Sequence, residues 1–184
     1  FCNATMAWKL GIRTPKSHRL IMEDERKGII YDRIVGEILS VKFNESSERV
    51  YDEWMDKLVD FHKQLMQHNI DDVISYKDFL KMFATDEETI AKINALADGD
   101  CFIHGDLHLE NVMLDQNNQL VLIDMMNVCK GTELYDVART YFLLSYDSNI
   151  QRKYLEKMGY SVEDIMPYLD VILRVRENEM SCIY

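Results

Sequence analysis

The sequence predicts an α+β protein in which a β-hairpin is followed mostly by helices, with one small hairpin set among the helices. Three observations support this class. Short apolar runs flank charged or polar turns near residues 17–34 and 112–123. Apolar residues recur at helical spacing through most of the remaining chain. No internal repeat and no Pro- or Ser-rich linker divides the 184 residues, so we expect one sizeable core or one domain with a small appendage.

The composition excludes several classes of protein. An apolar fraction of 47% with 29% charged residues is typical of soluble globular domains. No apolar run approaches the roughly 20 residues of a membrane span, and the first residues lack the pattern of a signal peptide. Four cysteines lie far apart without a CxxC pair, as in proteins of a reducing compartment. We therefore expect a cytoplasmic protein that does not bind membranes; nothing in the sequence indicates an oligomeric state.

The net charge of −11 bears on possible partners. Nucleic acid and anionic lipid are poor partners for such a chain because phosphate binding requires a positive surface. A cationic small substrate would suit it, although acidity that serves only solubility is the simpler interpretation.

The first part of the chain predicts one helix and one hairpin. Apolar spacing favours a helix over Thr5 to Leu10, with Gly11 as its C-terminal cap. Strands are predicted at Ser17 to Met22 and Gly28 to Ile34, joined by the charged turn Glu23 to Lys27.

A helical region should follow, after Gly36 breaks the strand pattern. Residues Ser46 to His68 have the spacing of a long helix with one buried face. Tyr76 to Phe83 predicts a short helix. Thr85 to Glu88 is a capping-box sequence that opens another helix, which Gly99 would end.

The central block, Cys101 to Asp124, has a strand, loop, strand, turn, strand pattern. Val112 to Leu114 and Leu120 to Ile123 are short apolar strands around the turn at 115–118. Three further helices are predicted beyond this block, at residues 134–144 and 151–158 and from Ser161 onwards.

The loop of the central block carries side chains suited to phosphoryl transfer. This reaction needs a carboxylate that receives the proton of the attacking hydroxyl and oxygen ligands that hold Mg²⁺ on the phosphates. Asp106, Asn111 and Asp124 offer this set. If the two strands pair through the 115–118 turn, Asn111 and Asp124 come together.

The same block resembles a known family. His104 to Asn111, followed by Ile123-Asp124, Gly131 and Asp136 to Ala138, is similar to the signature of the aminoglycoside phosphotransferase and choline kinase-like family. The resemblance implies a protein-kinase-like fold. It also implies Mg²⁺-dependent transfer of a phosphoryl group from ATP or GTP to the hydroxyl of a small molecule, such as an aminoglycoside or choline.

The resemblance implies a role for each matched residue. Asp106 would be the catalytic base, and His108 would lie near the transferring phosphate. Asn111 and Asp124 would bind Mg²⁺. Asp136 would brace the loop from the start of a helix.

The resemblance also implies a nucleotide site. Gly28 to Gly36 resembles the last strand of the small lobe and the hinge, where backbone groups of Asp32 and Ile34 would meet the adenine. Ile123 would pack against the base.

The implied domain division is a remnant of the N-terminal lobe at residues 1–36 and a helical catalytic lobe at residues 37–184. The family's nucleotide-covering loop, its strand-borne lysine and the glutamate partner of that lysine precede the point where this chain begins. Lys9 and Lys16 lack a matching strand context. We therefore expect the chain to begin inside the fold.

Two alternatives remain open at this stage. The chain could be a noncatalytic kinase-like fragment that binds a ligand or partner without turnover. His104, Asp106 and His108 could instead form a zinc or iron site, since their alternation points three ligands to one side of an extended segment. The simpler interpretation of His104 is a structural histidine, and His62 and His68 are expected to be surface or packing residues.

Overall fold

The computed structural model describes residues 1–45 and 47–181, so Ser46 and Cys182 lie outside the described residues. The strands are β1 (Ser17–Glu23), β2 (Arg26–Tyr31), β3 (Gly36–Ile38), β4 (Cys101–Ile103), β5 (Val112–Asp115), β6 (Leu120–Leu122) and β7 (Cys129–Gly131). The α-helices are α1 (Cys2–Lys9), α2 (Leu39–Glu45), α3 (Glu48–Met66), α4 (Tyr76–Lys81), α5 (Glu87–Ala95), α6 (Glu133–Leu143), α7 (Ser148–Met158) and α8 (Val162–Ser181). The predicted α+β class is confirmed.

The chain forms two compact units. The first consists of residues 1–61 and 108–127, and the second of residues 62–107 and 128–184. The predicted division into 1–36 and 37–184 stays a prediction. Within the described residues, no helix is both long enough and apolar enough to cross a membrane.

The first unit opens with α1 and the β1–β2 hairpin. Helix α1 begins earlier than predicted, at Cys2, and Gly11 follows it with a φ of 81°, as expected of a glycine after a helix. The predicted five-residue turn is wrong, because β1 and β2 extend to Glu23 and Arg26. Asp24 and Glu25 alone make the turn, both at positive φ, which suits the twist of a two-residue hairpin.

A three-stranded antiparallel sheet, β3-β5-β6, completes the first unit. The expected hairpin around residues 115–118 is confirmed. The Asp115 carboxylate accepts the N–H groups of Asn117 and Gln119 at 2.8 and 2.9 Å, and Asn118 takes a left-handed conformation. Gly36 does not merely break a strand pattern but begins β3. Strand β5 lies so close to Gly36 that a Cβ on residue 36 would overlap the Leu114 carbonyl oxygen.

The second unit is mostly helical. Its two-stranded sheet pairs β4 with β7, a strand that the sequence did not predict. The helices pack through apolar side chains that are almost wholly buried: Ile93, Val137, Ala138, Ile165, Val171 and Ile172. The C-terminal helix α8 opens with the predicted capping box, since Ser161 Oγ accepts the Asp164 N–H and Asp164 accepts the Ser161 N–H.

Several predicted helix boundaries are wrong by a few residues. Helix α3 ends at Met66 rather than His68, α4 ends at Lys81, and α2 was not predicted. Helix α5 ends at Ala95, before Gly99. Its N-cap is Asp86 rather than Thr85, because the Asp86 carboxylate accepts the Thr89 N–H at 2.8 Å and the Thr89 hydroxyl at 2.7 Å.

The cap of α5 provides a direct test. Asp86→Ala removes both acceptors, so the melting temperature should fall by about 2–4 °C. Thr85→Ala is the matched control, because Thr85 is exposed and precedes the cap. Equal shifts for the two variants, measured by circular dichroism, would contradict the assignment of Asp86 as the cap.

Candidate active site

Asp136 braces the segment that leads to Asp106. Its carboxylate is wholly buried in the first turn of α6. Oδ2 accepts the His104 N–H at 3.0 Å, and Oδ1 accepts the Gly105 N–H at 2.9 Å. The role implied by the resemblance is therefore confirmed for Asp136.

His62 and Tyr154 complete this buried network. His62 Nε2 lies 3.0 Å from Asp136 Oδ2, and it must carry the hydrogen because an ionised carboxylate only accepts. His62 Nδ1 lies 2.8 Å from the Tyr154 hydroxyl. Burial, together with the charge of Asp136, raises the pKa of Tyr154 well above its ordinary value, so this hydroxyl stays protonated.

The expectation that His62 is a surface or packing residue missed this role. His62 is 0% exposed. It follows Leu58 by four residues and precedes Leu65 by three, so the helical pattern places it on the buried face of α3. A histidine on such a face signals a buried polar partner, but the pattern does not identify which one.

Two opposed effects set the ionisation of Asp136. Burial alone would raise the pKa of this carboxyl. The hydrogen bond and charge of His62 and the Gly105 N–H outweigh burial, so the pKa lies below its ordinary value. The carboxylate therefore remains charged at neutral pH.

Asp106 follows this braced segment and is 24% exposed. The Arg139 guanidinium of α6 lies beside it, with Nη2 at 3.9 Å from Asp106 Oδ1. Arg139 Nε also donates to the Gly105 carbonyl oxygen at 3.1 Å. Nothing in the sequence pattern had marked Arg139 as a neighbour of Asp106.

His108 and Asn111 belong to the first unit, where His108 precedes a single 3₁₀ turn, Leu109–Asn111, and Asn111 ends it. His108 caps this turn, since its Nδ1 accepts the Glu110 N–H at 3.2 Å. The Ile123 N–H donates to the Asn111 carbonyl at 3.0 Å, which continues the β5–β6 pairing by one step. This bond brings Asn111 next to the Ile123-Asp124 segment, as the spacing had predicted.

Asp124 presents an exposed carboxylate at the end of this hairpin. Its φ is 58°, and its Oδ1 accepts the Met126 N–H at 3.2 Å, a local turn that fixes the direction of the side chain. An amide oxygen and a carboxylate are hard ligands that suit Mg²⁺. The donor set of Asn111 and Asp124 thus fits this ion.

A cleft of about 960 Å³ lies within the first unit. Its lining includes Asp32, Ile34, Ile123 and Asp124, so the structure brings together the three residues predicted to contact the nucleotide and one predicted metal ligand. Tyr31 also lines the cleft. Burial and the nearby charge of Asp124 raise the pKa of Tyr31.

Asp32 has further contacts beside the cleft. Its N–H donates to the Lys16 carbonyl at 2.9 Å, and its Oδ1 lies 2.6 Å from Nε2 of the exposed His18. The sequence had not indicated this His18 contact. It is an ion pair only when the imidazole is protonated.

The alternative metal site at His104, Asp106 and His108 is not supported. Among the described residues, no group of three or more histidine, cysteine, aspartate and glutamate side chains is arranged to hold a metal ion. His104 is fully buried, and its backbone N–H is bound to Asp136. His104 therefore joins the buried network through its backbone, and a structural role for its side chain stays a prediction.

Comparison with solved structures identifies the class of fold. An aminoglycoside-3'-phosphotransferase of type VIII is similar with a TM-score of 0.67 and 19% identity over 91% of this chain and 77% of that chain. Choline kinase LicA from Streptococcus pneumoniae is similar with a TM-score of 0.65 and 13% identity, over 97% of this chain and 69% of that chain. The structure of LicA in complex with AMP is similar with a TM-score of 0.64 and 14% identity, over 97% of this chain and 68% of that chain. The chain has a protein-kinase-like fold.

The family comparison is more specific. Residues 75–164 match the model of the phosphotransferase enzyme family, a stretch that includes Asp106, Asn111, Asp124 and Asp136. The resemblance predicted from the sequence is confirmed for this part of the chain. None of the curated proteins matches the sequence. The catalytic, nucleotide and metal roles of the individual residues stay predictions.

The buried network can be tested by removing one donor. His62→Phe keeps a planar aromatic ring at this position but removes its nitrogens, so the buried Asp136 carboxylate loses its hydrogen bond from the His62 side chain. We expect a loss of about 3 kcal/mol or more in the free energy of unfolding, measured with urea. The control, His68→Phe, changes a half-exposed histidine just beyond α3 and should cost less than about 1 kcal/mol. Similar losses of unfolding free energy in both variants would show that the His62 hydrogen bond does not stabilise the buried network.

The acid stability of the protein provides a second test. Because the pKa of Asp136 is lower in the folded than in the unfolded state, its contribution to stability is present above the unfolded value of about 3.9 and is lost as the pH falls further. Asp136→Asn should therefore destabilise the protein at pH 7 and make the decline below about pH 4 shallower. The free energy of unfolding is measured with urea at several pH values from 7 to 3. If it declines with falling pH as steeply in Asp136→Asn as in the unmodified protein, the lowered pKa is contradicted.

Proposed function

We propose that this chain carries the catalytic residues of a small-molecule kinase that transfers the γ-phosphoryl group of ATP to a substrate hydroxyl. One observation supports this proposal most strongly. The β5–β6 hairpin brings Asn111 next to the Ile123-Asp124 segment, and Asp124 lines a cleft together with Asp32, Ile34 and Ile123. A carboxylate in the same family stretch, Asp106, follows a segment braced by Asp136.

In the proposed reaction, Asp106 orients the substrate hydroxyl and accepts its proton. The hydroxyl oxygen forms a bond to the γ-phosphorus, while the bond from that phosphorus to the bridging oxygen breaks and ADP leaves. Asn111 and Asp124 would hold Mg²⁺, which neutralises negative charge on the phosphates when bound. His108 is proposed to lie near the transferring phosphate, where its capping bond to Glu110 would fix its ring.

An adenine nucleotide is the proposed phosphoryl donor. The similar structure of LicA contains AMP, which favours ATP over GTP. Since the Asp32 N–H is already bound to Lys16, Asp32 would contact the adenine through its carbonyl oxygen. Ile34 would offer a backbone group, and the Ile123 side chain would pack against the base.

The proposed substrate is a small molecule with a hydroxyl group and a positive charge. The similar structures are an aminoglycoside phosphotransferase and a choline kinase, whose names both indicate cationic substrates. The net charge of −11 is compatible with such a substrate.

The proposed base can be tested by an isosteric substitution. Asp106→Asn keeps the shape but cannot accept the proton, so turnover with MgATP and a panel of aminoglycosides and choline should fall about 100-fold or more. Binding of MgATP, measured by calorimetry, should change little.

The matched control is Glu110→Gln, which neutralises an exposed carboxylate in the same loop. It should retain near-normal turnover. Normal turnover in Asp106→Asn would overturn the assignment of the base. Failure of the unmodified chain to bind MgATP would favour the noncatalytic alternative.

A further inference from the structure

Two residues of α6 hold Gly105 from both sides. Asp136 Oδ1 accepts the Gly105 N–H at 2.9 Å, and Arg139 Nε donates to the Gly105 carbonyl at 3.1 Å. Asp136 and Arg139 are three residues apart on one helix, so they face the same side. The two hydrogen bonds are thus anchored on one rigid element.

These bonds act on two different peptide planes. The Gly105 N–H belongs to the plane that joins His104 to Gly105, and the Gly105 carbonyl belongs to the plane that joins Gly105 to Asp106. Fixing both planes fixes the two backbone torsions of Gly105. The second plane contains the backbone nitrogen of Asp106, so the bond from Arg139 orients the start of that residue.

The conformation of Gly105 makes this restraint important. Its φ is 73°, a left-handed value that glycine adopts readily, but glycine also has more alternative conformations than any other residue. The hydrogen bonds from the Asp136 and Arg139 side chains to the Gly105 backbone select one of these conformations.

Arg139 also reaches the side chain of Asp106. Its Nη2 lies 3.9 Å from Asp106 Oδ1, and only 17% of the Arg139 side chain is exposed. The guanidinium lies 5.7 Å from the Phe142 ring centre, which supports it from one side. A planar guanidinium can serve both contacts, whereas a lysine ammonium lacks this forked geometry.

We propose that Arg139 is a positioning residue for Asp106, which it orients through the Gly105 carbonyl and through the Asp106 carboxylate. The role in turnover rests on the proposed function, because it assumes that Asp106 is the base. The restraint on the loop does not depend on that assumption and can be measured separately.

The kinetic test compares Arg139→Gln and Arg139→Lys in the full chain, with MgATP and whichever hydroxyl substrate is turned over. We expect kcat to fall about 10- to 100-fold in Arg139→Gln, with little change in KM, because a small displacement of a catalytic group affects the reaction more than ground-state binding. Arg139→Lys should recover part of the loss through its charge. Arg152→Gln is the matched control, since Arg152 is an exposed arginine paired with Glu156 on α7, and its kcat should be unchanged.

The second readout is amide hydrogen exchange followed by NMR, which requires no turnover. In Arg139→Gln, the Gly105 and Asp106 amides should exchange about 10-fold faster or more, while the amide of Ile103 in β4 should keep its rate. Arg139→Lys should exchange at an intermediate rate. A uniform increase across β4 and α6 would indicate a merely structural role and overturn the proposal.

The two readouts separate the possible failures. If the chain shows no phosphoryl transfer but exchange at Gly105 and Asp106 responds as expected, the proposed function fails and the restraint stands. If turnover is present and kcat is unchanged in Arg139→Gln, the positioning role fails and the proposed function stands.

Discussion

A single buried carboxylate, Asp136, organises the second unit. A charge in the protein interior costs several kcal/mol unless it is fully hydrogen-bonded. Asp136 meets this requirement with donors from separate segments: the His104 and Gly105 backbone after β4, and the His62 ring on α3. Its position in the first turn of α6 also suits a negative charge. These segments are consequently all bonded to the Asp136 carboxylate. The loss of any one donor would leave the negative charge of Asp136 incompletely compensated.

The candidate residues of the two units are held in place by different means. In the second unit, buried electrostatics fixes the segment before Asp106, so the local structure depends on ionised groups. In the first unit, backbone pairing of β5 with β6 brings Asn111 beside Asp124, and the side chain of Asp124 is directed by a local turn. The second arrangement relies on backbone pairing and on local turns, in which the Asp115 and Asp124 carboxylates accept backbone N–H groups.

The sequence predicted those features that depend on local chemistry. The 115–118 turn was visible because Asp and Asn residues favour that conformation, and the capping box at Ser161 was visible for a similar reason. The short strand β7 was missed because three residues carry no periodicity. The roles of His62 and Arg139 were missed because each depends on a partner distant in the sequence, His62 on Asp136 and Arg139 on Gly105. Hydrophobic periodicity marks a face as buried but does not identify the polar group opposite it.

Part of the acidity of the chain serves its helices. Asp86 and Asp147 accept backbone N–H groups at helix starts, and Asp164 belongs to a capping box, so their carboxylates are engaged locally. Asp170 is bonded to Lys92 and Arg174. These groups contribute to the net charge of −11 without being directed at a substrate. Net charge is therefore weak support for a cationic ligand. The proposed chemistry depends instead on where individual carboxylates lie: Asp106 is beside the Arg139 guanidinium, and Asp124 lines the cleft.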